Sequence, residues 1–214
     1  MGKGLTEIVF ILDRSGSMAG LEEDTIGGFN AMIERQKRQE GEALVSTVLF
    51  DDRQEVLHDR QRLDQIGAIT RNDYYVRGCT ALLDAVGSAI HHISMIHKYA
   101  RREDRPEKTI FIITTDGYEN ASRRYSYEKV KRMVERQKEL FGWEFLFLGA
   151  NIDAISVAGR FGIAPERAAN FHNDSEGTAL NYNVLSETVC AYRANSRIDS
   201  EWKAQIDRDF AERS

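Results

Sequence analysis

The sequence predicts an α/β fold: a doubly wound, mostly parallel sheet of about six strands, with one antiparallel edge strand and helices on both faces. Three observations carry this expectation. The runs Ile8–Leu12, Thr109–Thr114 and Glu144–Leu148 are apolar almost throughout, as parallel strands covered on both faces must be, whereas a half-exposed strand would alternate. Helical stripes of apolar residues fall between these runs, so strands and helices alternate and right-handed crossovers follow. Finally, 214 residues with 42% hydrophobic and 29% charged side chains suit one soluble domain with a sizeable core. Residues 1–214 read as a single domain, its core spanning roughly residues 5–195 and a helical tail covering 196–214.

In chain order, Ile8–Leu12 is the first buried strand. Thr25–Gln39 follows as a helix with Ile26, Phe29, Met32 and Ile33 on one stripe. Leu44–Phe50 is a strand, Asp51-Asp52-Arg53 a polar turn, and Gln54–His58 a short antiparallel return at the sheet edge. Leu82–Ile96 carries Leu82, Leu83, Val86, Ile90, Ile93 and Ile96 at helical spacing. Thr109–Thr114 and Glu144–Leu148 are central strands flanking a helix over Tyr127–Leu140. Asp153 caps a short helix at Ala154–Phe161, which Gly162 ends. Ala168–Phe171 is a sixth strand and Ala179–Ala194 a longer helix. Beyond Arg197, Trp202 and Phe210 give an otherwise polar tail the means to pack as a terminal helix.

A formal net charge of -5 argues against a nucleic-acid or anionic-membrane partner. No charged-then-apolar leader precedes the first strand and no apolar run reaches membrane-spanning length, so the expectation is a cytoplasmic protein. Cys79 and Cys190 are the only cysteines, which excludes a disulfide-dense scaffold. In a reducing compartment a bridge between them is not expected. Asn120-Ala121-Ser122 and Asn173-Asp174-Ser175 match the glycosylation pattern, and without a secretory signal both read as chance.

The chemistry concentrates at strand ends. Asp13-Arg14-Ser15-Gly16-Ser17 leaves the first strand in a turn that sets three oxygen donors around a small volume, the donor type that hard divalent cations take. Asp116, in Thr115-Asp116-Gly117, leaves a second central strand on the same sheet edge, where open α/β sheets gather their ligands. Thr80, in Arg77-Gly78-Cys79-Thr80-Ala81-Leu82, sits in a loop just before a helix and can project its hydroxyl into the same crevice. Taken singly, each segment is also an ordinary turn or helix cap; the three in this order point to a metal site.

Together, Asp13/Ser15/Ser17, then Gly78/Thr80/Leu82, then Thr115/Asp116/Gly117/Asn120 resemble the metal-ion-dependent adhesion site (MIDAS) of von Willebrand factor A (VWA) domains, a Rossmann-like family. The resemblance covers nearly the whole chain. It implies that Ser15 and Ser17 bind Mg²⁺ through their hydroxyls, Thr80 directly or through water, and Asp13 and Asp116 mostly through bound water, with Mn²⁺ as the alternative ion. It implies a binding module and not an enzyme, in which a partner protein supplies an Asp or Glu carboxylate to complete the coordination shell. Stand-alone intracellular prokaryotic members of the family serve AAA-type ATPases, chelatase-like complexes, or kinase, phosphatase and stress-response systems. Partner binding in the family is linked to movement of the C-terminal helix, here Ala179–Ala194. Cys79 stands where the family often has a second Gly.

Other groups read as secondary. His91, His92 and His97 lie on one predicted helix, but spacings of five and six do not align ligands as i, i+4 does, so they read as ordinary histidines. Tyr74, Tyr75 and Arg77 on one loop, with Tyr118, Arg123, Arg124 and Tyr125 on another, are expected to form a partly basic collar that reads the partner. The alternative function is a metal-dependent hydrolase of the phosphoester class, with the cation as Lewis acid. Against it, no Lys or His lies within the three motif segments, Ser15 replaces the second acid of an Asp-x-Asp pattern, and no Gly-x-x-x-x-Gly-Lys-Ser/Thr loop is present.

Overall fold

The computed structural model describes residues 2–195 and 197–213. Six strands form one sheet: β1 (Gly2–Asp13), β2 (Ala43–Phe50), β3 (Gln54–Arg62), β4 (Pro106–Thr115), β5 (Glu144–Ala150) and β6 (Ala168–Phe171), in the order β3-β2-β1-β4-β5-β6. Only the β2–β3 pair is antiparallel; every other neighbouring pair is parallel. The expected fold class is therefore the observed one.

Helices cover both faces. On one side, Ile8, Phe10 and Leu12 of β1 pack with Ile26, Phe29, Met32 and Ile33 of α1 (Glu22–Lys37) and with Leu185 and Val189 of α5 (Ser175–Asn195). On the other, Val9 and Ile11 of the same strand meet Leu82, Val86, Ile90 and Ile93 of α2 (Leu82–Tyr99), Val130 and Val134 of α3 (Tyr127–Phe141), and Val157 of α4 (Ala154–Arg160). Successive β1 side chains point to opposite faces, and both faces are dry, which is why the run is apolar without alternation. Gly28 lets α1 approach α5: a Cβ there would lie 2.3 Å from the Tyr182 ring.

Element ends differ from the sequence expectation for local reasons. The β3 strand continues four residues past His58, to Arg62, because its backbone pairs with β2 whatever the polarity of its side chains. A register shift in that pairing accompanies a positive φ of 48° at Arg60, whose N–H donates to Ser46 Oγ. The α1 helix starts at Glu22, and its first turn holds Glu22, Glu23 and Asp24, acids that favour the positive end of the helix. As expected, the Asp153 carboxylate caps α4 by accepting the Ser156 N–H.

The tail packs as α6 (Ala204–Glu212), and buried Ile198, Trp202 and Ile206 join the α1–α5 core. The Trp202 indole donates to the Glu166 carbonyl, and Lys203 to that of Ala168, fastening the tail beside β6. Among the described residues no helix is long and apolar enough to cross a membrane.

Candidate metal centre

Neighbouring strands β1 and β4 send the chain to opposite faces, β1 to α1 and β4 to α3, so a crevice opens between their carboxyl ends. Residues expected to bind the cation line it. Asp13 ends β1 and Thr115 ends β4 beside it. The Thr115 hydroxyl donates to Asp13 Oδ2 over 2.5 Å, and the Ser15 N–H donates to Asp13 Oδ1 over 2.7 Å. Ser17 Oγ lies 3.1 Å from Ser15 Oγ and donates to Asp116 Oδ1 over 2.5 Å. Thr80 Oγ1 is placed by the glycine between them: a Cβ on Gly117 would stand 3.2 Å from Thr80 Oγ1 and 3.4 Å from Ser17 Oγ. The structure thus brings Asp13, Ser15, Ser17, Thr80 and Asp116 to one place. All are buried except Ser17, which is open to solvent.

Backbone bonds lock the three loops. Arg14 N–H donates to the Phe50 carbonyl, Arg77 N–H to that of Arg14, and Gly16 N–H to that of Gly78. Gly78 has a φ of 68°, and a Cβ there would come within 2.7 Å of Asp52 Oδ1, so the turn into Thr80 requires glycine. Asn120 accepts the Thr80 N–H through Oδ1 and returns its own N–H to the Thr80 carbonyl. That pair joins the Thr80 loop to the Asp116 loop.

Both acids sit at a cost. Burial pushes the Asp13 carboxyl up to about 6, against the bonds from Thr115 and Ser15, and nearby Asp116 adds to the rise. Burial likewise raises Asp116 above the usual carboxylate range, although Ser17 and Asn173 donate to it. Two carboxyls that burial disfavours from ionising, next to three hydroxyls, form an all-oxygen donor set that fits a hard divalent cation and would be relieved by one. Ser15, Ser17 and Thr80 would offer neutral oxygens and Asp13 and Asp116 the charge.

Sequence reasoning missed several neighbours. Tyr74, expected in the outer collar, is instead fully buried, its hydroxyl donating to the Asp13 carbonyl over 2.5 Å. Arg14 is also fully buried. It donates through Nε to Asp51 Oδ2 (2.8 Å), which Arg77 Nε approaches to 2.7 Å. Burial pushes the Asp51 carboxyl up, but the bonds from Arg77, Arg53 N–H and Arg14 outweigh it and hold it below its usual range. Tyr75 lies beside both guanidinium groups, and Tyr118 is exposed. Arg123 and Arg124 are exposed on a loop whose backbone N–H groups, with that of Tyr125, donate to Asp84. Asn173, after β6, donates to Asp116 Oδ2 over 3.3 Å; only its place at a strand end signalled this. The histidines do not converge: His92 pairs with Asp59 and His97 with buried Glu7.

No protein-family model matches the sequence. No curated protein matches it either. Solved structures do match. Proximal thread matrix protein 1 from the mussel byssus, described with a zinc-occupied MIDAS motif, superposes with a TM-score of 0.59 at 14% identity over 86% of this chain and 46% of that one. The ArnB paralog VWA2 from Sulfolobus acidocaldarius gives 0.54 at 17% identity over 88% and 45%. A von Willebrand factor type A structure from Catenulispora acidiphila gives 0.57 at 12% identity over 87% and 42%. The chain spans less than half the length of each of these structures. These superpositions, each over more than four fifths of the chain, show that its fold is that of the von Willebrand factor A domains.

Proposed function

We propose that this chain is a cation-dependent protein-binding module whose metal is completed by a carboxylate from a partner protein. The observation that carries the reading is the gathering of the Asp13, Ser15, Ser17, Thr80 and Asp116 side chains at the carboxyl ends of β1 and β4. Neutral hydroxyls leave a bound cation electron-poor, and Ser17 keeps one side of the crevice open to solvent. A water retained there by Mg²⁺ can give way to a partner carboxylate. We assign Mg²⁺, with Mn²⁺ as alternative, because the donors are all oxygen. The zinc in the MIDAS motif of the mussel protein supports divalent-ion binding on this fold. A cytoplasmic setting with an ATPase or a kinase, phosphatase or stress-response system is the partner class proposed.

Affinity capture in Mg²⁺ and in chelator tests this. The partner is expected to stay bound in Mg²⁺ and to leave on chelation or with Asp13→Ala. Retention unchanged by either treatment contradicts the reading, and phosphoester turnover lost with Ser15→Ala would put a hydrolase in its place.

A further inference from the structure

We infer that Asn173 is a positioning residue of the metal site and that the C-terminal helix α6 holds it there; this rests on the cation-binding reading above. Asn173 Nδ2 donates to Asp116 Oδ2 while Ser17 donates to Asp116 Oδ1, so the two bonds fix the carboxylate from both sides. Turning the Asn173 amide over would set two acceptors against each other, which assigns its orientation. Asn173 Oδ1 is then left buried without a hydrogen-bond partner. An orphaned acceptor beside a carboxylate suits a donor that arrives with the ion: a cation-bound water, whose hydrogens are acidified by the metal.

The residues on either side of Asn173 are held by the tail. His172 stacks on Phe210, with ring centroids 4.8 Å apart, and its Nε2 lies 3.2 Å from the Phe210 carbonyl oxygen. Asp174 pairs with Arg213 at the end of α6, and Arg213 also reaches Glu176 at 3.5 Å. Within the loop, Asp174 Oδ1 accepts the Gly177 N–H, and Gly177 lies so close to the His172 carbonyl that a Cβ would fall 2.2 Å from the oxygen. The Asn173 side chain is therefore presented to Asp116 by a loop braced from outside the sheet, and none of the braces is itself a proposed ligand.

Titration of the full chain with Mg²⁺, paired with melting in Mg²⁺ and in EDTA, tests both parts. Asn173→Ala should weaken Mg²⁺ binding about tenfold or more while leaving the melting temperature in EDTA nearly unchanged. Arg213→Ala should weaken it in the same direction by less, and Arg213→Lys should restore most of the loss. Asn173→Ala or Arg213→Ala binding Mg²⁺ as the wild type does overturns the inference, as does a loss of affinity that only parallels lost stability in EDTA. If Ser17→Ala weakens binding while Asn173→Ala leaves it at the wild-type level, this inference alone falls. A wild type that binds no Mg²⁺ removes the cation-binding reading with it.

Discussion

Ser17 Oγ donates to Asp116 Oδ1 over 2.5 Å, joining two loops whose residues stand 99 positions apart in the chain. One oxygen comes from the turn after β1 and the other from the turn after β4, so the bond reports the closure of the crevice directly. A cation held by both groups would take the place of that proton. Ser17→Ala should therefore weaken Mg²⁺ binding by at least about tenfold, measured by titration calorimetry. Because Ser17 is exposed, the melting temperature in chelator should move little.

The raised Asp13 carboxyl sets a pH dependence. Its folded value of about 6 lies above the unfolded one, so its contribution is complete below the unfolded value and is lost as pH rises through about 6. The loss is on the order of 3 kcal/mol in chelator. A cation needs the ionised form and opposes that loss. The rise in melting temperature caused by Mg²⁺ should accordingly be larger at about pH 7.5 than at about pH 5. Calorimetric melts with Mg²⁺ and with EDTA at both values check this; an increment that is equal or larger at the lower pH contradicts it.

Arg14 and Asp51 bury a charge pair one residue from the ligands. Removing the acid leaves the guanidinium in a dry site, with the half-exposed Glu55 as the acid still beside it. Asp51→Ala should cost on the order of 3 kcal/mol and lower the melting temperature by roughly 10 °C. A shift of only a degree or two would show that the pair is not needed to hold the turn.

Tyr74→Phe keeps the buried ring and deletes the bond to the Asp13 carbonyl. A loss of about 1 kcal/mol, or roughly 2–4 °C, is expected. Mg²⁺ affinity should fall with it, since the bond fixes the strand end that carries Asp13. Unchanged stability and affinity together would exclude that role.

The sheet was legible because strands buried on both faces leave an unmistakable apolar run, as Ile8–Leu12 and Phe145–Leu148 do. Residues 59–62 of β3 were not, because an edge strand of polar side chains has no hydrophobic signature. The five proposed ligands could be read from motif order and strand ends, both local properties of the chain. Tyr74 and Asn173 could not. Tyrosine and asparagine on loops look alike whether they turn inward or outward, and only the folded path of residues 70–80 and 171–175 decides it. Nor could the burial of Arg14, which depends on Asp51, a partner 37 positions away.

Whether these side chains hold a cation is decided by calorimetric titration of Mg²⁺ into the chelator-stripped wild type and the Ser15→Ala variant. One saturable site is expected in the wild type and no measurable binding in the variant. Absence of saturable binding in the wild type at millimolar Mg²⁺, or equal binding by Ser15→Ala, would contradict it.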